Sequence, residues 1–119
     1  MTLIDTSVLI EVLRGRITNV GDALSIISVM EVARVLDKAK RLRVLRELKD
    51  TYTIYPLDEK VAMEYCELYY ELRNRGRLIP DLDLIIASTA KAYGEKLITR
   101  DKDFLSLSNY IEVELIDII

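Results

Sequence analysis

Five short apolar runs punctuate the chain: TLI (2–4), ALSII (23–27), YTIYPL (52–57), KLIT (96–99) and VELI (113–116), with helix-length stretches between them. Strands that are apolar throughout, with no polar face, belong in sheets covered on both sides. Their alternation with helices predicts an α/β fold, a three-layer α/β/α arrangement around a central, mainly parallel sheet. In such sheets ligands bind beyond the carboxyl ends of the strands, so the residues just after each run are where chemistry is expected.

The helices are set by apolar periodicity and by their stops. TSVLIEVLRG places Val8, Leu9, Val12 and Leu13 on one face before Gly15. From Ser28 onward, Val32, Val35, Leu36 and Ala39 mark a second stripe, and RLRVLRELKD forms a third helix after a break near Lys40. Asp58 caps a long helix with Val61, Tyr65, Leu68 and Leu72 inward and Gly76 as its stop. Pro80 opens the next helix, which ends before Gly94. RDKDFLSL is a turn entering a short helix.

Composition removes most chemistries. With 119 residues, half of them hydrophobic, the chain is expected to form one domain, 1–119, around a single core. Cys66 is the only cysteine, which rules out an internal disulfide and a cysteine-rich zinc cluster, and it is expected to pack as a small hydrophobe. The absence of histidine excludes imidazole bases and histidine metal ligands. Asp5 and Glu11 interrupt the opening apolar run, so it reads as no signal peptide, and no uninterrupted run approaches the roughly 18 residues of a membrane span. A cytoplasmic protein with no membrane partner is expected.

Carboxylates recur at the strand ends. Asp5 directly follows TLI, Asp101 follows KLIT after one residue, and Glu31 lies one turn beyond ALSII. Asp83 sits in a first helical turn with Ile86 and Ala87 at i+3 and i+4, which aims it at the buried side. Each has a plainer reading: Asp5 as a helix N-cap, Ser28 with Glu31 as a capping box, Asp81 and Asp83 as dipole partners, Asp101 as a turn opener. Taken together, four acidic groups on one rim repel one another unless a cation neutralises them. Hard oxygen ligands select magnesium or manganese, which can polarise a phosphate oxygen and activate water. A cation also reconciles a net charge of -3 with an anionic substrate.

LIDTSVLI, the lone Glu31 on the second helix, IPDLDLIIASTA and LITRDKDF resemble, in order and over nearly the whole chain, the four blocks of PIN-domain ribonucleases, and within them the VapC-type toxins. The resemblance implies a metal-dependent endoribonuclease in which Asp5, Glu31, Asp83 and Asp101 are catalytic and bind the Mg2+ or Mn2+. Asp103 is then an accessory, and Thr6 and Thr99 are site hydroxyls. Ser7 is either a further site hydroxyl or a solvated first-turn residue. The spacing from Pro80 selects Asp83 and leaves Asp81 as a first-turn charge. The resemblance further implies a homodimer and a cognate antitoxin of the VapB kind. EVARVLDKAK lacks the glycine that often follows the family's glutamate, which bears on the substrate-facing wall.

Seven basic residues against two acidic ones between Arg34 and Lys49 can track a phosphate backbone, with Arg34, Lys38 and Arg41 as candidate RNA contacts, or they can be a solvated helix face. Arg73 to Arg77 read as compensation of a helix C-terminus, and the tyrosines Tyr65, Tyr69 and Tyr70 as core or dimer-interface aromatics, their density suggesting that this helix helps form a dimer surface. A phosphoacceptor receiver domain would want paired acids after the first strand and a lysine after the last. Here Thr6 follows Asp5, and VELIDII has no lysine. A dehalogenase-type phosphatase would want its aspartate pair after the first strand, whereas PDLDLI opens a late helix. A catalytically silent PIN scaffold that only binds RNA or protein is the remaining alternative.

Overall fold

A computed structural model describes residues 1–117 of the chain. Strands β1 (Thr2–Ile4), β2 (Ala23–Ser25), β3 (Thr53–Tyr55), β4 (Lys96–Thr99) and β5 (Val113–Leu115) form one sheet in the order β3-β2-β1-β4-β5. Every pairing is parallel, so the expected mainly parallel sheet is parallel throughout its described pairs. Helices α1 (Thr6–Leu13), α2 (Ile26–Ala33), α3 (Lys38–Thr51), α4 (Glu59–Asn74) and α5 (Asp81–Ala92) connect them, with a 3-10 helix at Lys102–Leu107.

The strand pleat divides the core in two, because successive side chains point to opposite faces. Leu3, Ala23 and Leu97 pack under Leu68 and Leu72 of α4, Leu84 and Ile86 of α5, and Phe104. Ile4, Leu24 and Ile98, one residue on, pack under Val8 and Leu9 of α1, Val29 of α2 and Leu48 of α3. Both faces are therefore covered, as the continuous apolar character of the strands requires.

The chain steps outward from β1 through β2 to β3, then returns to place β4 on the other side of β1. The direction reverses between β1 and β4, so the carboxyl ends of those strands flank a crevice, and Asp5 and Thr99 stand at its lip. Gly76 and Gly94 end α4 and α5 with φ of 66° and 64°, left-handed conformations that favour glycine.

Several local expectations shift. Helix α2 begins at Ile26 and not at Ser28, because β2 ends at Ser25, whose hydroxyl accepts the Ile27 N–H and caps the helix. Ser28 is thus inside the helix and buried, and the Ser28–Glu31 capping box does not form. The second stripe breaks after Ala33: Val35 is 80 % exposed, Ala39 lies outside the core, and α3 starts at Lys38 under an Asp37 cap. Leu13 is exposed while Glu11 is buried on the same helix. Cys66, expected in the core, is exposed. Among the described residues no helix is long and apolar enough to cross a membrane.

Candidate active site

Asp5 is the first residue after β1 and caps α1 with an extended backbone, φ -80° and ψ 177°. Its own N–H donates to the Ile98 carbonyl at 3.0 Å, which ties the end of β1 to β4. Oδ1 accepts from the Val8 N–H at 3.0 Å and the Ser7 hydroxyl at 2.6 Å, and Oδ2 accepts from the Thr99 hydroxyl. Capping and site duties coincide in one side chain. Burial raises the Asp5 carboxyl above the usual range, the bonds from Ser7, Thr99 and Val8 pull it back, and the charge of Asp101 adds to the rise.

Thr99 closes β4 fully buried, and its Oγ1 accepts the Asp101 N–H at 3.0 Å while its hydroxyl proton goes to Asp5. Asp101 caps the 3-10 helix, with Oδ1 accepting the Asp103 N–H at 2.9 Å. Asp103 is exposed at the mouth. Across the crevice the Thr6 hydroxyl donates to Glu31 Oε1 at 2.7 Å and stands 2.9 Å from Ser28 Oγ.

Asp83 is the third residue of α5, half-buried, and its carboxyl is pushed up to about 6 by burial and then by the charges of Asp101, Asp5, Glu31 and Asp103. Carboxylates from the end of β1, from α2, from α5 and from the exit of β4 thus share one neighbourhood. Asp81, one residue into α5, is instead the acceptor for the Tyr65 hydroxyl at 2.8 Å, so the two aspartates of that turn have separate work.

The donor set is all oxygen, which suits a hard divalent cation. Among the described residues no three acidic or cysteine side chains are gathered so as to hold an ion as they stand. Unneutralised carboxylates repel one another.

Of the basic candidates, Arg34 and Lys38 are exposed at the end of α2 and the start of α3, while Arg41 uses its Nε to hold the Leu36 carbonyl at 2.6 Å. Sequence reasoning passed over Glu11 and Arg100, and read Ser28 only as a capping residue. Ser7 accepts the Arg100 N–H at 3.3 Å besides donating to Asp5, so its hydroxyl is tied to the protein and not left to solvent. Glu11 stands three positions beyond Val8 on the covered side of α1, a place where an unpaired acid would be costly; that was the available signal.

A PIN domain family model matches residues 2–109. Ribonuclease VapC1 of Methanocaldococcus jannaschii is 37 % identical over 102 residues, 84 % of this chain and 75 % of that protein. A solved structure of VapBC-5 from Mycobacterium tuberculosis, described as a member of the VapBC family of toxin-antitoxin systems, superposes with a TM-score of 0.69 at 28 % identity, over 97 % of this chain and 96 % of that one. VapBC-1 from nontypeable Haemophilus influenzae reaches a TM-score of 0.81 at 19 % identity, over 96 % of each chain, a likeness of fold.

Proposed function

Because the chain belongs to the PIN domain family, we propose that it is a metal-dependent endoribonuclease hydrolysing RNA phosphodiesters, the toxin of a toxin-antitoxin pair. The observation that supports this reading is that Asp5, Glu31 and Asp101, from three other elements, lie near enough to Asp83 for their charges to raise its carboxyl, with Asp5 and Glu31 each held by a neighbouring hydroxyl. Asp5, Asp83, Asp101 and Glu31 would hold magnesium or manganese. Such an ion supplies a Lewis acid for a phosphate oxygen and a water of lowered pKa.

The chain's own residues do the rest. Thr99, Ser7 and the Val8 N–H fix both oxygens of Asp5, and Thr6 fixes Glu31, so neither carboxylate must be ordered when substrate arrives. Glu31 is half-buried, with one oxygen held by Thr6 and the other left for the ion. Asp103 borders the mouth as an accessory charge, and Arg34, Lys38 and Arg41 extend a basic path for RNA. The toxin assembles as a homodimer through α4, whose Met63, Cys66 and Tyr70 are exposed, and is held by an antitoxin of the VapB kind.

The test incubates purified protein with single-stranded and structured RNAs in magnesium, manganese or chelator, beside Asp83→Asn. Cleavage that needs the ion and vanishes in the variant is expected; equal cleavage by both proteins sinks the reading. One observation favours a catalytically silent scaffold, namely that the carboxylates among the described residues are not gathered around a single point. Under that reading, millimolar magnesium or manganese leaves the melting temperature unchanged.

A further inference from the structure

Glu11 is 3 % exposed, and its two oxygens meet three guanidinium groups, Arg100 at 3.2 Å, Arg16 at 3.4 Å and Arg14 at 4.0 Å. Arg14 and Arg16 directly follow α1, whereas Arg100 comes from the exit of β4, between Thr99 and Asp101. Among the described residues none of the three has another carboxylate within ion-pair distance, so two positive charges are left over. Arginines scattered in solvent cost nothing, but burying a carboxylate to gather them incurs desolvation. The arginine side chains are 59, 61 and 37 % exposed for Arg14, Arg16 and Arg100, so donors that do not face Glu11 face outward.

The cluster adjoins the acidic crevice. The Arg100 N–H donates to Ser7 Oγ, and Ser7 in turn donates to Asp5. Arg100 also lines an open depression of about 510 Å³ with Ser7, Asp101 and Lys102. A planar guanidinium fork matches the oxygens of a phosphate, and a fork already oriented by a buried carboxylate loses less freedom on binding one.

We propose that Glu11 is a positioning residue that gathers Arg14, Arg16 and Arg100 into a binding site for an RNA backbone phosphate beside the one cleaved. The inference rests on the nuclease reading for its ligand. RNA is favoured over an acidic protein segment because Arg100 belongs to the same short connection as Asp101, where the cleaved strand must lie.

The test measures binding of a fluorescent single-stranded RNA oligonucleotide to Asp83→Asn protein in chelator over a range of salt, with Arg16→Gln and Glu11→Gln added to that background. Arg16→Gln is expected to weaken binding roughly tenfold and to lower the salt slope by about 0.7, one phosphate contact on a single strand. Glu11→Gln makes the cluster more positive, so charge alone would tighten binding, whereas lost positioning weakens it severalfold. Melting curves establish that each variant is folded, and Arg16→Gln decides the matter alone if Glu11→Gln is not.

Unchanged affinity and slope in Arg16→Gln, or tighter binding by Glu11→Gln, overturn the proposal. So does polyglutamate binding that depends on Arg16 where RNA binding does not. Wild-type protein is assayed for cleavage in parallel. Cleavage combined with Arg16-independent binding removes this site and leaves the nuclease reading standing, while no cleavage and no RNA binding by any form removes both.

Discussion

The Thr99 hydroxyl donates to Asp5 Oδ2, joining the ends of two adjacent parallel strands across 94 residues of sequence. Both groups are buried, so the bond fixes one oxygen of the carboxylate from inside the protein and leaves its orientation independent of solvent. Thr99→Val keeps the shape and removes the donor, and is expected to cost ~1–3 kcal/mol of stability and about tenfold in cleavage rate. Thr99→Ser retains the hydroxyl and should stay within about threefold of wild type. Urea melts and cleavage rates check both; a Val variant as active as the Ser variant would show that the bond has no role in the site.

Asp83 gives the protein a pH dependence of defined sign. Its carboxyl sits at about 6 in the folded protein against an ordinary value of 3.8, so folding favours the protonated form. The stability this contributes is fully present below about 4 and is lost as pH rises through about 6. Discounted for its partial exposure, the effect is about 1 kcal/mol. Ion-free Asp83→Asn should therefore melt several degrees above wild type at pH 7.5 and level with it near pH 4, by calorimetry. A variant less stable at pH 7.5 would mean that the charge is not strained.

Cleavage should respond to the same group in the opposite sense. A protonated Asp83 cannot serve as a ligand, so at limiting magnesium the rate should fall by about tenfold for each unit of pH below the Asp83 value, and excess ion should shift the midpoint to lower pH. Rates measured from pH 5 to 8 at two ion concentrations test this. A midpoint that ignores ion concentration would assign the titration to another group.

Divalent ion should stabilise the fold, since it binds the native carboxylate arrangement and not the unfolded chain. At ten times its dissociation constant the gain is about 1.4 kcal/mol, several degrees in a domain of this size. Asp5→Asn and Asp101→Asn should each reduce the shift. Thermal melts with magnesium, manganese and chelator suffice, and identical shifts in wild type and both variants would place the ion elsewhere.

Gly21 precedes β2 where a Cβ would meet Ile4 Cγ2 at 2.5 Å and the Thr2 carbonyl oxygen at 3.1 Å. Gly21→Ala must therefore displace β1 against its neighbour, with an expected loss of ~1–3 kcal/mol and weaker ion binding through the shifted Asp5. Denaturation with and without ion distinguishes this from a local loop effect, which would leave ion binding untouched.

The sheet and the nearness of the four carboxylates were legible because each rests on local rules. Buried strands are written as apolar runs, helix ends as Gly76 or Gly94, and the inward aim of Asp83 as Ile86 and Ala87 at i+3 and i+4. The α2–α3 boundary was not legible, because Val32, Val35 and Leu36 continue a helical period across the turn that ends α2 at Ala33. Ser25 fixes the start of α2 by a cap that competes with two isoleucines of strand propensity. Glu11 escaped because its three partners decide its burial, and one of them, Arg100, comes from a distant part of the chain. Tyr65 looked like one more core aromatic, and only its hydroxyl bond to Asp81 separates the two aspartates of the α5 turn by task.

The placement of β4 beside β1 also carries a consequence for biosynthesis. A nascent chain that has emerged only as far as Gly94 already contains Asp5, Glu31 and Asp83, yet it lacks the neighbour that receives the Asp5 N–H at Ile98 and the donor at Thr99. Products truncated before β4 are therefore expected to be inert, because the Asp5 carboxylate gains its fixed orientation only once β4 has docked beside β1.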